Sequence, residues 1–557
     1  MIKYIEFLSL NKTVLIGEVF TLNTTMALTT VMIVCFFALM IFIGIRSRKH
    51  ASDVNGFVLG SRAVGPWLSA FAFGTSYFSA VIFVGYAGQF GWNFGVASTW
   101  IGLGNAFIGS LLAWSILGRR TRIMTQSLSS KTMPDFFGAR FNSRGLKVAA
   151  SMITFLFLIP YTASLYNGLS RLFHMAYPDV PYSVCVIMMA VLTAVYVIVG
   201  GYMATATNDF IQGIIMLVGI VAVILAVLRA NNGLVEAMKS LSDLSTTTAD
   251  GSVWEKGGFT SFLGPQPLFL LFVVMLTSLG TWGLPQMVGK FYAIKNEDSI
   301  KKGTVISTLF AIVVAGGCYF LGGFGRLYAG KGVEIDAVTG KPMGGFDSII
   351  PAMLSTLSPI LIAIVIVLVL SASMSTLSSL VLTSGSTITL DFIEPLRKKE
   401  IAEKKKMLIM RIFIVVFIVL SALIAIKQAN SANIFIAQMM GVSWGALAGA
   451  FLAPFLYGLY WKKTSKASVI CSFIFGVGLE IVQLCISLGW LDVSGSAFLS
   501  FVFKNSLYSG VIAMVGGLVI VPVVSLLTQK TVPADAPAMF ECYNATKTVD
   551  ITDSLGK

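Results

Sequence analysis

Thirteen stretches of this chain are each long and apolar enough to cross a lipid bilayer, and that pattern alone decides the fold class. A helix needs about 20 apolar residues to span the hydrocarbon core. Such stretches fall at 26–46, 66–89, 96–118, 147–172, 182–201, 208–229, 266–289, 303–326, 349–386, 408–427, 433–460, 467–489 and 507–528. The chain is 56% hydrophobic and 11% charged, whereas a water-soluble domain carries about a quarter charged residues. Too few polar side chains exist to clothe a soluble exterior. The expectation is an all-α polytopic membrane protein whose main solvent is the lipid bilayer. The first span runs past the length of a signal-peptide apolar region. The ninth is overlong, so a short extra helix is expected at its start.

Basic residues outnumber acidic ones, 39 to 25, and the excess is not spread evenly. It gathers at Arg46–Arg62, Arg119–Lys147, Lys290–Lys302, Arg397–Lys406 and Lys462–Lys466, in alternate loops. The positive-inside rule makes that side cytoplasmic. An odd number of spans then puts the N-terminus outside and the C-terminus inside, in a multi-pass protein of the plasma membrane. The basic residues form no continuous stripe, which speaks against nucleic acid. No obligate protein partner is evident. The polar segment from Gln529 is expected to be a flexible cytoplasmic tail.

Six single cysteines and two histidines suggest neither a disulfide framework nor a His-based metal centre. Gly325 to Lys331 approaches a P-loop, but Gly332 stands where Ser or Thr is required. The segment reads as a loop, and neither ATP use nor an enzyme is expected.

Function should sit where helices are interrupted, because unwound backbone in lipid survives only where it lines a protein cavity. Span two reads GPWLSAFAFGTSYFSAVIFVGYAGQFG, with Gly74, Thr75, Ser76 and Ser79 at mid-depth. Span seven reads TSLGTWGLPQMVGKF, with Gly280, Gly283 and Pro285 together. The two lie five spans apart, as the first helices of two inverted five-helix repeats would. Span nine carries SASMSTLSS, in which Ala372, Ser375, Thr376 and Ser379 share a helix face and Ser378 lies beside it. Such hydroxyls serve either close helix packing or a hard monovalent cation. Asp209, at the junction of spans five and six, is either a loop carboxylate in water or a functional acid in the membrane. Lys290 and Arg171 read as caps of helix ends.

These segments resemble the sodium/solute symporter family, most closely its sodium/proline branch, over roughly residues 30 to 490. The resemblance rests on FVLGSRAVGPWLSAFAFGTS, TMPDFFGARFNS, IVGGYMATATNDFIQG, WGLPQMVGKFYA, SASMSTLSS with SGSTITLDF, and SWGALAGAFLAPFLYGLYWKK, all in order. It implies a leucine-transporter-like core of two five-helix inverted repeats, at 66–229 and 266–460. An N-terminal segment with the first helix (1–65), an extracellular loop (230–265), two C-terminal helices (461–528) and the tail (529–557) complete the chain. It also implies a sodium-coupled secondary symporter that imports a small organic solute, an amino acid such as proline or a small carboxylate, by alternating access. A proton-coupled or channel-like uniport carrier of the same fold is the alternative.

Carried over by position, one sodium would meet the carbonyls of Thr75, Phe78 and Ala372 and the hydroxyls of Ser375 and Thr376. A second, deeper sodium would meet Asp209, Ser375, Ser378 and Ser379. Solute positions would be Ser76, Tyr77, Ser79, Tyr161, Thr281, Trp282 and Pro285. Two positions depart from the proline branch: Tyr77 stands in place of an aspartate, and Thr277 in place of a tryptophan.

Overall fold

The structure is a computed structural model that describes residues 26–48, 51–177, 179–247, 253–336, 340–397, 399–429 and 436–544. It is nearly all helical. The long helices, in chain order, are α1 (Met26–Ser47), α2 (Pro66–Tyr77), α3 (Val81–Ser127), α4 (Arg144–Ala176), α5 (Tyr182–Ala230), α6 (Pro267–Leu279), α7 (Pro285–Tyr292), α8 (Glu297–Gly322), α9 (Pro359–Leu396), α10 (Glu403–Ala429), α11 (Ile436–Tyr460), α12 (Lys466–Ser487) and α13 (Ser506–Leu527). One two-residue antiparallel pair, β1 (Thr246–Thr247) with β2 (Val253–Trp254), lies in the 230–265 loop.

Local chemistry sets many of the helix starts. Proline, which has no N–H to waste and a φ already suited to a helix, opens α2, α6, α7 and α9. Ser143, Asn296, Ser465 and Asn505 cap α4, α8, α12 and α13 by accepting from backbone N–H groups of the first turn. The short helix expected ahead of α9 is present at Ile349–Ser355.

Counted by length and apolarity, the described residues hold ten spanning helices, or eleven with the bent pair α6–α7. The sequence pattern gives thirteen, and the difference arises at two kinks. Helix α3 runs without a gap through a tight turn at Gly95–Ser98, where Gly95 has φ +62°. Helix α5 is kinked at Gly201, with φ +56°, a conformation open to glycine at little cost. Only its Val197–Ala230 part is long enough to span, and Tyr182–Val195 is shorter.

The basic loops meet on one face. Arg62 donates to the Tyr292 and Ser130 carbonyls, Arg122 to Ile294 and Lys295, and Arg140 to Gly458 and Trp461. Glu403 accepts from the Val54 N–H. The other face is closed in part by Arg326, which donates to the Trp92 carbonyl at 2.6 Å beneath the Trp92 and Phe259 rings. Burial there pushes its guanidinium down to about 9. The C-terminal segment departs from the flexible tail expected. Residues 529–544 fold back onto the basic face, where Phe540 is buried against Arg140 and the Tyr543 hydroxyl donates to the Leu459 carbonyl at 3.1 Å. Two aromatic side chains outweigh the polar composition around them; residues 545–557 lie outside the described residues.

Lipid offers helices no hydrophobic incentive to pair, so close packing of small residues holds them. One such close approach joins α11 and α12: a Cβ on Gly476 would stand 2.4 Å from the Ala450 nitrogen. Gly476→Ala is therefore expected to destabilise by about 1–3 kcal/mol, read as a fall in melting temperature. Gly478→Ala, whose Cβ meets no described atom within 4 Å, is expected to leave it unchanged or slightly raised. Equal effects at both positions would contradict this packing.

Candidate cation and solute site

Helix α2 ends at Tyr77, and Phe78 takes an extended conformation (φ −99°, ψ 110°) before the chain turns helical again at Val81. The break takes away the N–H group that would meet the Thr75 carbonyl inside a continuous helix. That carbonyl instead accepts from the Ser375 hydroxyl at 2.9 Å and the Thr376 hydroxyl at 3.3 Å, both on α9. The same two hydroxyls reach the Ala372 carbonyl at 2.9 and 3.2 Å. Thr75, Ala372, Ser375 and Thr376 thus converge as four oxygens, all buried, and Phe78, the fifth residue of the expected set, sits at the break itself. Oxygen-only ligands of this kind suit a hard monovalent cation.

The deeper set is arranged differently. Asp209 is not a loop carboxylate in water; it is fully buried, on the continuous second half of α5. Lys290 of α7 does not cap a helix end. Its ammonium lies 3.5 Å from Asp209 Oδ2 and donates to Ser379 Oγ at 2.9 Å. Ser379 Oγ is also 2.7 Å from Ser76 Oγ, so α2, α5, α7 and α9 are joined through one ion pair and two hydroxyls. Ser378 turns its hydroxyl to the Ser375 carbonyl at 2.8 Å. A cavity of about 50 Å³ reaches Lys290 from the basic face, past Lys131, Thr132 and Gln286. Arg171 likewise faces a carboxylate, Asp347, at 4.0 Å.

The expected solute positions separate. Tyr77, Ser79 and Tyr161 gather around Trp444 of α11, which the sequence reading missed. The Tyr77 ring stacks on the Trp444 indole with centroids 5.8 Å apart, and the Tyr161 ring meets it edge-on at 5.8 Å. The Tyr161 hydroxyl lies beside Ser79 and Trp444. The Tyr161 hydroxyl and the Trp444 indole N–H are both buried and lie close to each other, which makes them one polar cluster rather than separate groups. Thr281 and Trp282 instead donate to the α3 carbonyls of Gly109 and Ile108 at 3.3 and 3.1 Å. Pro285 lines the Lys290 cavity, and Ser76 belongs to the ion-pair network. Of the two departures from the proline pattern, Tyr77 donates its hydroxyl to the Thr277 backbone carbonyl, and the Thr277 hydroxyl turns to the Val273 carbonyl at 2.9 Å.

Comparison with known proteins gives the family and the fold. The sequence profile of the sodium:solute symporter family matches residues 57–476. Sodium/proline symporter 2 of Staphylococcus saprophyticus is 27% identical over 465 residues, 82% of this chain and 86% of its own. A sodium/proline symporter of Staphylococcus aureus is 27% identical over 511 residues, 90% of this chain and 93% of its own. Among solved structures, a Na+-coupled sialic acid symporter in a substrate-bound outward-open state aligns with a TM-score of 0.68 at 17% identity, over 90% of this chain and 98% of that one. That likeness carries the fold, and with it the leucine-transporter-like core.

A buried ion pair is costly to break from one side, because the remaining charge has no water to turn to. In potassium buffer without sodium, Asp209→Asn is expected to lower stability by about 3–5 kcal/mol, measured by thermal unfolding. Asp209→Asn combined with Lys290→Met is expected to recover most of the loss. A single variant as stable as the parent would show that the two side chains do not depend on each other.

Proposed function

Because this chain belongs to the sodium:solute symporter family, we propose that it imports a small organic solute, an amino acid or a small carboxylate, by coupling it to inflowing sodium. The observation that carries this reading is the convergence of α2-break and α9 oxygens at Thr75, Ala372, Ser375 and Thr376. Sodium would join those atoms and Phe78, holding the break of α2 against α9. The adjoining residues Tyr77 and Ser79 would then be set against Tyr161 and Trp444 as the solute pocket. A ligand shared by two helices stabilises only the conformation that brings them together. Rocking of one repeat against the other would expose the pocket first to the outside and then to the basic face, proposed as cytoplasmic.

The energetics suffice without ATP. One charge falling through about 100 mV yields about 2.3 kcal/mol, and a tenfold sodium gradient adds about 1.4 kcal/mol. Together these support a gradient of several hundredfold for a solute of no net charge, and the sodium gradient alone supports about tenfold for a monocarboxylate. Proline itself is the weaker choice of solute. The chain departs from the proline branch at Tyr77, whose ring stacks on Trp444, so the solute is proposed to differ in the part that faces Tyr77.

A thermal-shift screen of small solutes on the purified protein, run in sodium and again in potassium, tests this. The expected result is a solute that stabilises only in sodium. Ser375→Ala removes one oxygen ligand of the proposed ion and should raise the sodium needed by about tenfold or more, equivalent to about 1.4 kcal/mol. Identical responses to sodium and potassium throughout would contradict sodium coupling.

A further inference from the structure

We propose that the ammonium of Lys290 permanently fills the deeper cation position between Asp209 and Ser379, so that one sodium ion accompanies each solute rather than two. The inference rests on the sodium-symport reading and deepens it. Its basis is geometric. The ammonium is flanked by groups from two helices: on α5 the Asp209 carboxylate at 3.5 Å and the face of the Tyr202 ring with its centroid 5.4 Å away, and on α9 the Ser379 hydroxyl at 2.9 Å. Lysine carries three N–H donors and no acceptor, and an acid, a hydroxyl and an aromatic face suit all three. Both charged side chains are buried, with Asp209 wholly so and Lys290 at 4% exposure, so the pair is an interior one.

A sodium ion in this position would need the same atoms. Ser379 already accepts from Lys290 and is bonded to Ser76, and Ser378 is turned toward the Ser375 carbonyl. The sodium would also share one carboxylate with an ammonium a few ångströms away, where little water screens like charges from each other. Asp209, Ser375, Ser378 and Ser379 are thus of the right types for a second sodium, but Lys290 takes up the charge they offer. The consequence for transport is direct. A sodium ion can leave into the cytoplasm and give up its gradient, whereas an ammonium tethered to α7 cannot. The Lys290 cation stays through the cycle, bracing the inner half of the broken span against α5 and α9. Only the ion at Thr75, Phe78, Ala372, Ser375 and Thr376 is then exchanged.

Equilibrium binding of radiolabelled sodium to the purified full chain tests the proposal, with four proteins compared. The parent is expected to bind one sodium per chain, and Ser375→Ala to bind almost none at the same concentration. Lys290→Ala frees Asp209 and leaves room for an ion, and is expected to bind two. Adding Asp209→Asn to Lys290→Ala should return the number to one. Two sodium ions on the parent would overturn the inference, and this result does not depend on how any variant folds. So would a Lys290→Ala protein that keeps its Ser375-dependent sodium and gains no second one. A parent that binds no sodium at all would instead overturn the symport reading, and this inference with it.

Discussion

A backbone carbonyl inside a bilayer must find a partner, and the Thr75 carbonyl finds it on another helix. The extended residue Phe78 ends α2 in mid-membrane, and the hydroxyls of Ser375 and Thr376 on α9 take over the role of the lost N–H. Much of the interior is arranged around that substitution. Helix α9 must present its small, hydroxylated face to the break, so Ser371 to Ser379 is wholly buried. The second interrupted span bends by 47° between α6 and α7, and Leu284 opens it at Pro285. That break carries Lys290 inward to meet Asp209. Two broken helices therefore supply, respectively, an oxygen cluster and a fixed charge, side by side across α9.

Hydropathy made the helical architecture legible because lipid leaves a chain few choices: an apolar stretch of sufficient length must be a helix or be buried in one. The interruptions were legible too, since Gly74, Gly280, Gly283 and Pro285 weaken a helix wherever they fall. What composition could not convey was pairing. Asp209 stands out alone as a candidate acid in the membrane, but Lys290 reads as the cap of a helix end, and nothing in the sequence joins two residues so far apart. Trp444 was missed for a related reason. A tryptophan among small apolar residues in SWGALAG reads as packing, and only its place between Tyr77 and Tyr161 makes it a candidate solute contact. The tail was misread because its polar majority concealed Phe540 and Tyr543, the two residues that dock it. Crossing number depended on kinks at Gly95 and Gly201, where continuous helical hydrogen bonding runs through a turn.

The proposed sodium ligands and solute contacts are neighbours on the same broken helix. Thr75 and Phe78 would contribute backbone atoms, which side-chain substitution does not remove. Tyr77, between them, contributes a ring that stacks on Trp444. On the proposed function, a change at that side chain would alter the solute contact and leave the ion's carbonyls in place.

The most direct test of sodium coupling is uptake into proteoliposomes, using a solute that binds the purified protein in sodium. With sodium imposed outside and an interior-negative potential, the solute should accumulate above its external concentration, with positive charge entering beside a zwitterionic amino acid and no net charge beside a monocarboxylate. Replacing sodium by potassium at the same potential should abolish accumulation. Accumulation of equal size without any sodium gradient would contradict the account.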